Sequence, residues 1–173
     1  MALPAIRPAT ATDAPALATL IRSIWREHYA PILGAAQVEY MLASRADPAA
    51  IAAEIAGGIA WLIAVDDAGG AQAYASHAHA DGPLARPGDW KLRQLYVAAA
   101  QRRAGLGREL FEQVRGAALA AGAACLILAV NRGNHLAQEA YHRWGFRVRG
   151  DACTPIGGGF VMDDHILEMP LTR

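Results

Sequence analysis

Residues 92–110 read "LRQLYVAAAQRRAGLGREL", and the order of events along this stretch decides the fold. Leu92–Val97 has the leucine, tyrosine and valine of a strand. A short turn follows, and from Gly105 to Ala121 the apolar residues Leu106, Leu110, Phe111, Val114 and Ala118 recur at helical spacing, with Gly122 placed to stop the helix. The amides from Arg103 to Gly107 then form the free N-terminal end of that helix, and such an end attracts anions. Gly105 and Gly107 remove side chains where a ligand would come close, while Arg102, Arg103 and Arg108 add cationic donors. Two glycines among arginines suit a diphosphate. On this stretch alone, a tight turn opening an ordinary helix is an equal reading. The chain has no GxxxxGK[ST], and no GxGxxG with an acidic residue downstream, which excludes a P-loop nucleotidase and a dinucleotide-binding fold.

Outward from this stretch, the pattern alternates between helix and strand. After an extended start at Ala5–Pro8, Thr12 can cap a helix with Pro15 in its first turn, and Leu17, Leu20, Ile21 and Ile24 form one apolar stripe up to about Glu27. Helical segments follow around Ala35–Leu42 and Pro48–Ile55. Two apolar runs meet at a turn containing Asp66, Asp67, Gly69 and Gly70, and a third follows a Pro/Gly loop, which predicts an antiparallel meander. "CLILAV" at Cys125–Val130 is a buried strand, a helix runs from Asn134 to Trp144 before Gly145, and strands close the chain near Phe146–Arg149 and His165–Met169. The class is α/β.

The 173 residues fit one domain, 1–173, and 54% apolar against 18% charged residues supply a core rather than a disordered chain. Sixteen Lys and Arg against sixteen Asp and Glu lack the basic excess of a non-specific nucleic-acid binder. Cys125 and Cys153 are too few for a disulfide framework or a cysteine zinc site, so no metal and a reducing cytoplasm are expected. "MALPAIRPAT" does not read as a secretory signal, and the greasy run Ile55–Val65 is shorter than the roughly 18–20 residues of a membrane helix, so a soluble chain without a membrane partner is expected.

Two motifs carry a family resemblance. Arg102, Gly105 and Gly107 match [Q/R]xxGx[G/A] after a sheet strand, and "NHLAQEAYHRWGF" matches NxxAxxxYxxxGF at Asn134, Ala137, Tyr141, Gly145 and Phe146. With the "IRPATATD" opening, the two early helices and the meander, nearly the whole chain resembles the GCN5-related N-acetyltransferases (GNAT). The resemblance implies a mixed, mostly antiparallel sheet of six to seven strands flanked by about four helices. Its parallel central strands, here Lys91–Val97 and Cys125–Val130, splay apart to admit pantetheine. It implies acetyl-coenzyme A as co-substrate and a primary amine as acceptor. The diphosphate would lie on Arg102, Arg103, Ala104, Gly105, Leu106, Gly107 and Arg108. Leu95, Tyr96 and Val97 would hold the thioester and pantetheine through backbone groups, Asn131 and Asn134 would touch the middle of the cofactor, and Tyr141 would be the acid. Relatives that use a carboxylate base place Glu four residues before the carbonyl-binding amide, where this chain has Lys91. That departure leaves a second reading, a module that binds acyl-coenzyme A without turnover. The resemblance discloses neither the acceptor, nor the length of acyl chain tolerated, nor whether the chain is a monomer or a homodimer.

Other polar residues have competing readings. Tyr141 also fits aromatic packing four residues after Ala137. Lys91 reads as solvent-facing, leaving proton removal to a water chain. His77 and His79 share one strand face, either toward substrate or on a solvated surface, and His28, beside Tyr29, either borders the substrate cleft, as the resemblance implies, or interacts with the dipole at a helix C-terminus. Asp163 and Asp164 either attract a cationic amine or cap a turn, and Gly157–Gly159 suggests a flexible loop.

Overall fold

The computed structural model describes residues 4–172. In chain order these form β1 (Ala5–Pro8), α1 (Ala14–Leu33), α2 (Ala35–Arg45), α3 (Pro48–Ala56), β2 (Ala60–Val65), β3 (Ala71–His79), β4 (Asp89–Val97), α4 (Leu106–Ala120), β5 (Cys125–Asn131), α5 (His135–Arg143), β6 (Arg147–Gly157) and β7 (Phe160–Pro170). Short 3₁₀ turns occupy Ala11–Asp13 and Ala99–Gln101. The strands make one mixed sheet in the order β1-β2-β3-β4-β5-β7-β6, with β4 and β5 parallel, the arrangement the resemblance implied. Contacts cluster in two compact units. The first holds the chain up to His77 with Gln94–Val114, and the second holds Ala78–Arg93 with the chain from Arg115 onward.

In the first unit the N-terminal cap differs from the expected one. The Asp13 carboxylate accepts the Thr10 amide at 2.8 Å and a two-pronged contact from Arg7 at 2.8 Å each, so Thr10 and Asp13, rather than Thr12, open the helical stretch. The Arg7 hydrogen bond holds the Asp13 carboxyl well below the usual carboxylate range. A depressed carboxylate stabilises the fold above its unfolded pKa and loses that contribution as pH falls through the folded value. Asp13→Ala is therefore expected to cost about 1 kcal/mol at pH 7, and the deficit should shrink below about pH 3, as followed by urea unfolding.

Helix α1 outlasts its expected end at Glu27 because burial continues past it. Leu17, Ile21, Ile24, Trp25 and Tyr29 form one buried stripe. Trp25 Nε1 donates to the Tyr74 hydroxyl at 3.1 Å, the Tyr29 and Tyr96 hydroxyls lie 2.7 Å apart, and Trp61 stacks on Tyr74 at 5.8 Å. Tyr74 is fully buried, which pushes its hydroxyl well above the ordinary tyrosine range. This aromatic cluster fastens α1 to β2, β3 and the end of β4. Asp47 caps α3 by accepting the Ala49 and Ala50 amides at 3.2 and 3.3 Å, with Pro48 at the first helical position.

In the second unit β5 pairs with β7 over its whole length, from Cys125↔Pro170 to Asn131↔Asp164. The β6–β7 hairpin is longer than the sequence suggested, and the triple glycine is a tight turn rather than a flexible loop. Gly157 pairs with Phe160, and Gly158 and Gly159 take φ of 61° and 80°, the left-handed values that a two-residue hairpin turn needs at both positions. Asp163 and Asp164 consequently lie inside β7, opposite Cys153 and Ala152, and cap no turn.

A bulge between Val148 and Gly150 turns Arg149 inward. Its side chain is 3% exposed, and it pairs with Asp89 and, at 2.6 Å, with Glu168. It also donates to the Leu84 carbonyl at 2.9 Å and lies 3.4 Å from the Cys125 thiol. Among the described residues no helix is long and apolar enough to cross a membrane.

Candidate functional site

The site is built first from the segment joining β4 to α4. Arg103 and Gly105 both have left-handed backbone, φ 66° and 93°. A Cβ on Gly105 would meet nothing within 4 Å, so glycine is favoured there by its dihedral and not by space. Arginine in that region costs on the order of 1 kcal/mol, the kind of local strain that collects at ligand sites. The first bond of the helix runs from the Glu109 amide to the Gly105 carbonyl at 3.0 Å. The amides of Leu106, Gly107 and Arg108 therefore precede the first helical donor, Glu109, and have no acceptor within the helix. Leu106 is buried and anchors the turn, while Arg103, Ala104 and Gly105 are exposed.

The three arginines differ in setting. Arg102 is half-buried and its Nε donates to the Val97 carbonyl at 3.3 Å. Arg108 pairs with Glu112 one turn on and lies 5.2 Å over the Phe111 ring. Arg103 is exposed at the turn.

The outer half of β4 supplies the second element. The Ala98 amide donates to the Gln72 carbonyl at 2.9 Å, which ties the end of β4 to β3. The parallel register of β4 with β5 is Asp89↔Cys125, Trp90↔Leu126 and Lys91↔Ile127, whereas β4 itself continues to Val97. Leu95, Tyr96, Val97 and the turn 102–108 are thus contiguous within the first unit.

The second unit carries the remaining candidates on the β5–α5 connection. Asn131 is buried, and its Oδ1 accepts the Gly133 amide at 2.9 Å. Asn134 is buried and caps α5, its Oδ1 accepting the Ala137 amide at 3.3 Å. Gln138 Nε2 ties the connection down by donating to the Asn131 and Arg132 carbonyls, both at 2.9 Å. Each asparagine spends its oxygen on local backbone, so the amide nitrogen is what each can offer a ligand. Tyr141 is half-buried on α5, with Trp144 and Phe146 edge-on at 5.6 and 5.7 Å.

Lys91 is not solvent-facing in the way the sequence suggested. Its side chain is 21% exposed, and its ammonium donates to the Asp81 carboxylate at 2.8 Å and the Asp81 carbonyl at 3.0 Å. Burial lowers the pKa of His77, which keeps its imidazole neutral, and His79 lies edge-on to Trp90 at 4.6 Å. His28 lies edge-on to Tyr29 at 4.9 Å, short of the α1 C-terminus. Among the described residues no group of three or more His, Cys, Asp or Glu is placed to hold a metal ion.

Asp164 is one of the pair for which the sequence offered either attraction of a cationic amine or a turn cap. It is half-buried opposite Asn131, its Oδ1 has no hydrogen-bond partner, and burial together with the Asp163 charge pushes its pKa up to about 6. A carboxylate with a raised folded pKa binds more protons when folded than when unfolded, so stability falls as pH rises from about 4 through the folded value. Asp164→Asn is expected to stabilise the chain by about 1 kcal/mol at pH 8, after allowance for solvent screening, and to be neutral at pH 3.5. Equal effects at both pH values in thermal melts would refute this.

The fold has well-matched precedents. The PaiA N-acetyltransferase from Thermoplasma acidophilum, solved in complex with coenzyme A, superposes with a TM-score of 0.80 at 20% identity, covering 99% of this chain and all of that one. A GCN5-related N-acetyltransferase from Rhodopseudomonas palustris also gives 0.80, at 23% identity, covering 99% and 98% of the two chains. The yncA protein from Salmonella typhimurium, solved with its cofactor acetyl-CoA, gives 0.66 at 19% identity, covering 100% and 96%. At such identities the likeness establishes a shared fold. No curated protein matches the sequence significantly. The sequence itself matches the acetyltransferase (GNAT) family over residues 18–146, a span that contains β4, the turn into α4 and the whole of α5, and the chain accordingly belongs to that family.

Proposed function

We propose that this protein moves an acetyl group from acetyl-coenzyme A to a primary amine by direct attack of the amine on the thioester. The observation that carries the reading is the N-terminal end of α4, where the first amides follow the left-handed Gly105 shortly after a strand that runs on to Val97, past its register with β5 at Lys91. Two similarly folded proteins were solved with coenzyme A and with acetyl-CoA. Here the diphosphate would rest on the amides of residues 103–108, with Arg103 as its nearest cation and Arg102 bracing the turn. Pantetheine would run along Leu95, Tyr96 and Val97 as an added strand, and the Leu95 amide would donate to the thioester oxygen as negative charge develops on it. The amide nitrogens of Asn131 and Asn134 would serve the cofactor's middle.

Two protons must move. An alkyl ammonium has a pKa near 10.4 and must lose a proton before it attacks, and the departing thiolate, with a thiol pKa near 8.5, gains from a donor. Tyr141 is that donor, its ring held by Trp144 and Phe146. Lys91 is committed to Asp81 by its contacts, so the amine is relieved through water. Both cysteines are unpaired, which suits a cytoplasmic setting.

The test is coenzyme A release, followed with a thiol reagent, from acetyl-coenzyme A and a panel of amino acids, polyamines and aminoglycosides. Thermal stabilisation by acetyl-coenzyme A without release across the whole panel and across pH would favour the non-catalytic module instead. Tyr141→Phe is expected to lower kcat by about 100-fold with acetyl-coenzyme A affinity within about threefold of wild type. Equal loss of both would mark Tyr141 as packing alone.

A further inference from the structure

A cavity of about 250 Å³ lies within the first unit, lined by Ser44, Arg45, Ala50, Ile51, Glu54, Trp61 and Gln94. Three of its lining side chains bring a buried polar atom with no hydrogen-bond partner: Glu54 Oε2, Trp61 Nε1 and Gln94 Oε1. Ser76 Oγ, on the residue paired with Trp61 across β2 and β3, is a fourth. Leaving one such atom unmet costs about 1–3 kcal/mol, so four in one neighbourhood of a stable fold point to something that satisfies them together. They come from α3, β2, β3 and β4, and Trp61 is held rigidly by stacking on Tyr74, so the cavity is a built one.

Its chemistry defines the occupant. Glu54 Oε2 is a carboxyl oxygen and Gln94 Oε1 an amide oxygen, and both call for hydrogen-bond donors, which an ammonium supplies. Trp61 Nε1 is only a donor and requires an oxygen. Arg45 is exposed and adds a cation to the lining. A ligand that meets all of these carries a primary ammonium close to a carboxylate. At roughly 30 Å³ per water-sized group the cavity has room for about eight such groups, the size of an amino acid. Gln94 also immediately precedes Leu95 on β4, so the cavity is lined by the same strand whose backbone is assigned to the thioester.

We propose that this cavity is the acceptor pocket and that the acceptor is a small zwitterion of amino-acid size, its ammonium on Glu54 and Gln94 and its carboxylate on Trp61 Nε1 and Arg45. The role of the ligand as acceptor rests on the acetyl-transfer reading above, whereas its binding does not. In the transfer an N–C bond forms as the C–S bond breaks. Of the two protons the ammonium gives up, one ends on the coenzyme A sulfur and one in water.

The experiment uses L-glutamine as probe, with n-butylamine and butyrate as half-ligands, in calorimetry without acetyl-coenzyme A and in the thiol-release assay with it. L-Glutamine should bind at least about tenfold more tightly than either half-ligand. Glu54→Gln, which keeps shape and removes one charge, and Trp61→Phe, which keeps an aromatic ring and removes the indole N–H, should each weaken binding and raise the KM for L-glutamine by about tenfold or more, with the KM for acetyl-coenzyme A unchanged. L-Glutamine binding that these variants weaken, with no acetylation of it by the wild type, would overturn the acceptor role while the pocket stands. Acetylation that neither variant alters would overturn the pocket while the transfer reading stands. Failure of L-glutamine to bind, a cavity that holds water only, would overturn the pocket outright.

Discussion

Gly107→Glu should abolish acetyl-coenzyme A binding while leaving the fold standing. Gly107 is half-buried in the first turn of α4, between the buried Leu106 and the exposed Arg108. Its amide belongs to the set that precedes the first helical donor, Glu109. A glutamate there acts in two ways on a bound diphosphate. Its side chain fills the approach to the amides, and its charge opposes the phosphates where the helix N-terminus would otherwise attract them. A charge near a helix terminus is worth about 0.3–1 kcal/mol at an exposed site and up to about 2 in partly buried geometry, and it adds to the lost hydrogen bonds. Affinity for acetyl-coenzyme A should fall at least about 100-fold by calorimetry. Folding should be largely spared, because an acidic residue in the first turn complements the helix dipole, as Glu109 already does in this helix. The same affinity in Gly107→Glu and wild type would remove the diphosphate from this turn, and with it the basis for the acetyl-transfer reading.

How far the sequence disclosed this arrangement depended on the range of the interactions involved. The turn into α4, the Asp66–Gly70 hairpin and the Asn134 cap of α5 are set by residues within four or five positions of one another, and each was legible. In the hairpin, the Asp66 carboxylate accepts the Ala68 and Gly70 amides at 3.0 and 2.8 Å, a wholly local device. The extension of α1 to Leu33 was not legible, because Tyr29 is buried by contact with Tyr96, 67 residues away. Nor was the length of the β6–β7 hairpin, whose arms carry Asp151, Thr154 and Asp163 on exposed positions and so lack an apolar alternation. Lys91 read as solvent-facing because Asp81 reaches it across a loop. The cavity had one local trace: Leu92, Gln94 and Tyr96 share a face of β4 that is otherwise apolar. A polar residue in that row is a signal of something to bind, but Glu54 and Trp61 join it only through the fold.

Arg149 is the residue whose loss should damage the fold most. It is an interior cation serving two carboxylates on different strands, Asp89 at the start of β4 and Glu168 in β7, with side chains 4% and 11% exposed. Burial by itself would raise the Asp89 pKa, but the Arg149 hydrogen bond and the Arg86 amide carry it below the usual range, and the same arginine depresses Glu168. Removing one member of such a group leaves charges stranded in the interior, at a cost of about 3–5 kcal/mol. Arg149→Met, which preserves the length and the apolar stem, should lower the melting temperature by roughly 10 °C at pH 7. The pH dependence separates charge from packing. In the wild type, depressed carboxylates contribute stability above their unfolded pKa values, near 4, and lose it as pH falls through the folded values. In Arg149→Met the buried Asp89 loses its paired cation and its pKa rises above the ordinary range, so protonation relieves it, while Glu168 keeps Arg147 as a partner. The gap between variant and wild type should thus be widest at pH 7 and narrow toward pH 4. Adding Asp89→Asn to Arg149→Met should restore part of the lost stability, because it withdraws the stranded charge. A gap that stays constant with pH, or a second substitution that only adds to the damage, would mean that Arg149 holds these strands by its shape and not by its charge.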